Sequence, residues 1–133
     1  MSQTYLSDGL YKVVTKSDKE VIIVLSDSSH NVFKGHFESM PLLPGFLQID
    51  IIAEILNKDI NIIITAKFLQ KVLPNEKLTY TIEPTKSGVR VKIHNKNKLL
   101  CGDFKLKWNT KQLVWNLDKY ISSRLYVTYS KIY

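Results

Sequence analysis

Apolar and polar residues alternate at every second position along much of this chain, and one stretch replaces that alternation with nearly continuous apolarity. Residues 10–15 and 20–25 are rich in β-branched side chains, and Val21-Ile22-Ile23-Val24 marks the second run as a strand. Ser17-Asp18-Lys19 between them has turn chemistry, so the pair reads as a hairpin. Residues 60–69 form another strand candidate. Residues 77–83 put Leu78, Tyr80 and Ile82 on one side and Thr79, Thr81 and Glu83 on the other. Residues 89–95 repeat the pattern with Val89, Val91 and Ile93, and residues 99–108 close the series. The breaks between these runs are turn-like: Leu73-Pro74-Asn75-Glu76, Thr85-Lys86-Ser87-Gly88 and Lys96-Asn97-Lys98. Asn75 suits a left-handed conformation.

The exception is residues 45–56. From Phe46 to Leu56 only Gln48, Asp50 and Glu54 interrupt the apolar side chains. Isoleucines alone would allow a strand, but the length and the Pro44-Gly45 opening predict a helix, buried on most sides and ended by Asn57-Lys58-Asp59. Residues 26–31 read as a polar loop and 32–44 as a second loop. Two strands, a buried helix and a meander of about four strands predict an α+β fold, with a curled antiparallel sheet wrapped around one central helix. After residue 109 the chain changes character, with Trp115 and four tyrosines among Lys119, Arg124 and Lys131. Residues 1–109 are therefore expected to form the domain, and 110–133 a C-terminal extension. In that extension 117–122 suggests a helical turn and 126–129 a strand.

At 133 residues the chain is long enough for one domain with a real core. Its apolar runs are too short or too interrupted to span a bilayer. Residues 1–8 lack a basic start followed by an apolar stretch, and one cysteine, Cys101, excludes an internal disulfide. A cytoplasmic protein is expected. The net charge of +7 favours acidic partners. No nucleic-acid-binding module is visible, and the lysines (Lys67, Lys71, Lys105 and others) are spread along the strands. They serve either as solvated strand faces or as a surface for a small acidic carrier protein. No paired-histidine metal motif or glycine-rich phosphate loop occurs, so neither metal nor cofactor is expected.

The loop before the helix carries the chemistry. Gly35-His36-Phe37 is followed by Pro41-Leu42-Leu43-Pro44-Gly45, and Asp50 lies fourteen positions after His36. This run resembles the hot-dog-fold 3-hydroxyacyl-ACP dehydratases, and Pro-Leu-Leu-Pro-Gly-X-X-Gln-Ile-Asp is most similar to the small dehydratase-like proteins of the aryl polyene type. Lys67-Phe68 and Val72-Leu73-Pro74-Asn75-Glu76 extend the resemblance, which covers residues 10–108. Departures are Glu38 where the family usually has proline, Asn75 in place of a turn glycine, and an aspartate where the fatty-acid branch often has glutamate.

The resemblance implies elimination of water from a 3-hydroxyacyl thioester of acyl carrier protein or coenzyme A. It also implies a homodimer, or a higher assembly of dimers, with His36 and Asp50 of each site coming from different subunits. In that chemistry His36 is the base that takes the α-proton. Asp50 either donates the proton to the departing hydroxyl, its pKa raised by burial, or stays ionised and orients a water or the imidazole. Gly45, at a helix N-terminus, supplies a backbone N–H to the developing enolate oxygen. Phe37, Phe46 and Gln48 are expected to line the substrate site, and Glu54 to sit at an interface or rim. His30 and His94 read as ordinary surface residues. An acyl thioesterase on the same fold and a non-catalytic acyl-binding subunit are the competing readings.

Overall fold

The computed structural model describes residues 8–34 and 41–108. The elements run β1 (Tyr11–Lys16), β2 (Glu20–Leu25), α1 (Asn31–Lys34), α2 (Gly45–Leu56), β3 (Ile62–Phe68), β4 (Lys77–Pro84), β5 (Gly88–His94) and β6 (Leu100–Lys107). The six strands form one antiparallel sheet in the order β1-β2-β4-β5-β6-β3.

The alternation sorts as its period demands. Val21, Ile23 and Leu25 of β2, Leu78, Tyr80 and Ile82 of β4, and Val89, Val91 and Ile93 of β5 are buried. Cross-strand partners Ile23↔Leu78, Tyr80↔Ile93 and Val91↔Phe104 carry that apolar face across the sheet. Turn chemistry sets the corners. Asn75 takes φ 67 as anticipated. In the β5–β6 hairpin Lys98 takes φ 65, while Asn95 Oδ1 accepts from the Asn97 and Leu99 N–H groups.

Two expectations are corrected. Residues 62–107 do not form a four-strand meander. Only β4, β5 and β6 are consecutive neighbours, whereas β3 crosses to the far edge beside β6 and β4 pairs with β2. Residues 31–34 are not loop but a single helical turn, α1, which buries Val32 and Phe33. The C-terminal extension 110–133 lies outside the described residues.

The helix α2 crosses the sheet obliquely. At its N-terminal end a Cβ on Gly45 would come within 2.7 Å of the Phe68 ring of β3. At its C-terminal end Lys16 Nζ of β1 donates to the Ile55 carbonyl at 3.0 Å, and Tyr11 donates to Glu54 Oε1 at 2.8 Å. Twelve residues make a rod of about 18 Å, and six strands at ~4.8 Å separation are slightly wider, so side chains at both ends complete the span. Asn57 in the left-handed region, φ 53, stops the helix with its N–H turned back to the last carbonyls.

On the polar side of the sheet Arg90 grips Asp103 through two hydrogen bonds, 3.1 and 2.8 Å. The guanidinium holds the Asp103 carboxyl below its usual range despite burial, with Lys92 and Lys67 adding to the effect. Lys67, Lys71 and Lys105 are exposed.

Sheet closure at the β5–β6 corner depends on Gly88. A Cβ there would lie 1.9 Å from the Leu106 carbonyl oxygen and 2.8 Å from Lys107 Cα. The obstruction is backbone, so Gly88→Ala must push two strands apart. A loss of about 3 kcal/mol is expected, lowering Tm by roughly 10 °C. Thermal unfolding checks this, and a Tm within about 2 °C of the parent would show that the corner is not tight.

Candidate active site

The helix opening is built by Pro44 and the chain on either side of it. Pro44 has φ −59 and ψ 143, an extended conformation, and its carbonyl accepts the Leu47 N–H at 3.1 Å. Leu43 is buried and its N–H donates to the Val72 carbonyl at 2.7 Å, which pins the approach to the segment after β3. Among the described residues no side chain caps the helix. Its first N–H groups carry the partial positive charge of the terminus, and no described side chain absorbs it.

Gly45 has a packing reason. The Phe68 ring lies against its Cα, and Phe68 meets Phe104 edge-on at 5.4 Å between centroids. A larger residue at 45 would displace this ring and close the approach to the backbone N–H.

Helical phase then separates the other candidate residues. Leu47, Gln48, Ile49, Ile51, Ile52 and Ile55 are buried, while Phe46, Asp50 and Ala53 are half-buried and Glu54 is exposed. Phe46, Asp50 and Ala53 recur at four and three residues, so they share the outward stripe. Gly45 and Asp50 are separated by about 7.5 Å of helix rise. Gln48 does not share the stripe. It is 3 % exposed, and its Oε1 would lie 3.4 Å from a Cβ placed on Gly102 of β6, so it sits between helix and sheet. That oxygen has no hydrogen-bond partner among the described residues. His36 and Phe37 lie outside the described residues.

Four side-chain environments were not legible in the sequence. Tyr80 is fully buried and its hydroxyl has no partner among the described residues; burial, then the neighbouring Tyr11 and Cys101, raise its pKa. Tyr11 is also raised, first by burial and then by its bond to Glu54. Glu54, expected at a rim, links α2 to β1. His30 is more than a surface residue: Nδ1 accepts the Val32 N–H and Nε2 contacts the Asp8 carbonyl. Cys101 is buried with its thiol pushed up by desolvation, an environment that disfavours the reactive thiolate.

Among the described residues no group of three His, Cys, Asp or Glu side chains is placed to hold a metal ion. No helix among them is long and apolar enough to cross a membrane.

The fold has solved counterparts. The dehydratase heterocomplex ApeI:P from Xenorhabdus doucetiae superposes with a TM-score of 0.58 at 22% identity, over 73% of this chain and 96% of that one. An uncharacterized protein from Erwinia carotovora subsp. atroseptica gives 0.53 at 24% identity, covering 74% and 91%. The Escherichia coli PaaI protein of the phenylacetic acid degradation operon gives 0.52 at 9% identity, covering 77% and 85%. At these identities the likeness concerns the fold, which is the hot-dog fold: a curled antiparallel sheet around one helix. No functionally curated protein gives a significant match. The ApeI-like family, described as ApeI dehydratase, matches residues 13–104. That span runs from β1 into β6 and includes both the His36 segment of the sequence and the helix with its aspartate, so this chain belongs to the ApeI-like dehydratase family.

Proposed function

We propose that the protein is a 3-hydroxyacyl thioester dehydratase acting on acyl chains borne by an acyl carrier protein, and that it releases the trans-2-enoyl thioester. The observation that carries this reading is the outward stripe of α2. A half-buried Asp50 follows a glycine-opened helix start that no described side chain caps, in a chain whose preceding sequence holds Gly35-His36-Phe37. His36 takes the proton α to the thioester carbonyl. The Gly45 N–H receives the charge that develops on the carbonyl oxygen. Asp50, in its protonated form, returns a proton to the leaving hydroxyl so that water departs. Phe46 and Phe37 line the acyl path. Gln48 supports the helix from behind, and its unpaired oxygen is available to an ordered water.

The working unit in this proposal is a homodimer formed on the β3 edge. Among the described residues that strand has no neighbour on its outer side, and it exposes Ile62 and Ile64, 46 % and 43 %. An apolar open edge invites pairing. Phe68 on the same strand touches Gly45, so a second subunit docked there approaches the helix opening. The similar ApeI structure is of a dehydratase heterocomplex, which makes a different protein partner the alternative occupant of this edge.

The decisive experiment offers 3-hydroxyacyl and acyl thioesters on carrier protein and on coenzyme A. Enoyl product supports the proposal; free acid would make the protein a thioesterase, and no turnover would leave an acyl-binding subunit. The carrier preference has its own signature. An acidic carrier is steered by the net positive charge of +7, so its apparent KM should rise with salt as the Debye length falls from ~30 Å to ~8 Å. A small thioester analogue should respond much less. Equal sensitivity for the two substrates would remove the electrostatic argument for a carrier.

A further inference from the structure

Phe68 is the residue of β3 that reaches the helix opening, and two neighbours fix its ring. A Cβ on Gly45 would stand 2.7, 2.9 and 3.1 Å from Cε1, Cζ and Cδ1 of Phe68, so a whole ring edge lies along the Gly45 backbone. The ring also meets Phe104 edge-on, with 5.4 Å between centroids and 67° between planes.

Strand register explains why Phe104 stands there. Phe104 pairs with Ala66 and Phe68 pairs with Gly102, so the two rings are diagonal neighbours on the core face of β6 and β3. Each ring faces a small partner. Phe104 is fully buried and leans along β6 over Gly102, where an added Cβ would fall 2.7 Å from its Cε2 and 2.9 Å from its Cζ. Gly102 thus leaves the space through which Phe104 reaches Phe68.

The backbone beneath the rings is held as well. Leu69 and Gln70 both donate to the Cys101 carbonyl, at 2.8 and 3.3 Å, which fastens the end of β3 to β6. Leu43 donates to the Val72 carbonyl at 2.7 Å a few residues further on. Leu43 and Gly45 flank Pro44, so the start of α2 rests on one main-chain bond before the proline and one ring after it. A single bond would leave the first turn free to tilt about Pro44, and the ring supplies the second point of support.

We infer that Phe68 is a positioning residue for the Gly45 N–H, and that Phe104, lying over Gly102, holds the Phe68 ring in place. The catalytic consequence rests on the reading of Gly45 as the donor to the thioester oxygen; the geometric consequence does not. Such a donor acts only when it is aimed at the oxygen that gains charge.

Three single substitutions approach the ring from different directions. Phe68→Leu removes the flat ring edge and keeps an apolar side chain. Gly102→Ala drives Phe104 from its place and leaves Phe68 itself unaltered. Phe104→Leu removes the supporting ring. β6 lies between β5 and β3, so the last two changes are made away from the open edge of the sheet and separate positioning from assembly. Two readouts are taken on each. Residual dipolar couplings of the α2 amides, set against those of β4 and β5, report the orientation of the helix and do not respond to a lost ring current. The second readout is kcat and KM on a 3-hydroxyacyl thioester. All three variants should change the α2 couplings relative to the sheet. All three should lower kcat at least about tenfold with KM within about threefold, because a displacement of about 1 Å costs up to about 10²-fold.

Unchanged α2 couplings in Gly102→Ala and Phe104→Leu would overturn the inference. Parental kcat in those two beside a slow Phe68→Leu would also overturn it, placing the effect at the sheet edge. A raised KM with kcat unchanged would do the same, making the ring a substrate surface. If one β6 variant fails to fold, the other decides. If the parent protein turns over no thioester, the dehydratase reading fails, and the couplings alone decide the role of Phe68.

Discussion

Replacing His36 with alanine is expected to remove dehydration and the reverse hydration together, with kcat falling by at least about 10³-fold and the fold intact. The α-proton of a thioester is weakly acidic, and general-base catalysis by a placed side chain contributes about 10²–10⁴-fold. No other histidine can substitute. His30 has both nitrogens committed to main chain, and His94 lies at the end of β5, a strand whose nearest partners are β4 and β6. The assay follows enoyl thioester absorbance in both directions, with thermal unfolding as the control for fold. A variant that keeps near-parental turnover would displace His36 from the mechanism.

Asp50→Asn carries the second large effect. The carboxamide keeps the size and most of the hydrogen bonding of the side chain but does not deliver an acidic proton, so a loss of about 10²–10⁴-fold in kcat is expected. This substitution also tests assembly. If each site draws His36 from one subunit and Asp50 from the other, mixing the inactive His36→Ala and Asp50→Asn proteins and allowing exchange creates heterodimers with one intact site. A statistical mixture then recovers about a quarter of parental activity, since about half the dimers are mixed and each has one of two sites. Absence of recovery after mass spectrometry has shown exchanged dimers would place the two groups in one chain.

The parts of this fold visible in the sequence are those set by local physics. The bounds of β2 and α2 follow from a β-branched run between turns, and from a Pro-Gly opening closed by an asparagine in the left-handed region. The positions of Gly45, Phe46 and Asp50 on that helix follow from its period once the start is known. The surroundings of Gln48 were less legible: three residues from Gly45 it is buried and lies near Gly102 of β6, which helix period alone does not specify. The position of β3 was not legible. Alternation says that a segment pairs but not with which partner, and β3 resembles its neighbours in composition. The α1 turn was too short to show a period, and histidine is an uncommon N-cap, so Ser29-His30-Asn31 read only as polar loop.

The displaced strand also dictates an order of events during synthesis. β3 follows α2 directly, yet Phe68 finds its partner only at Gly102 and Ile62 only at Lys107. The β2–β4 pairing likewise waits, since Val24 meets Lys77 after α1, α2 and β3 have been made. While the ribosome completes β4, β5 and β6, the nascent chain holds an apolar helix and an unpaired strand bearing Ile62, Ile63 and Ile64. Long-range pairing of this kind slows folding and exposes strand edges to other chains. A product truncated before residue 100 lacks the strand that covers β3 from within. Such fragments are therefore aggregation-prone intermediates, and chaperone demand should peak just before β6 emerges.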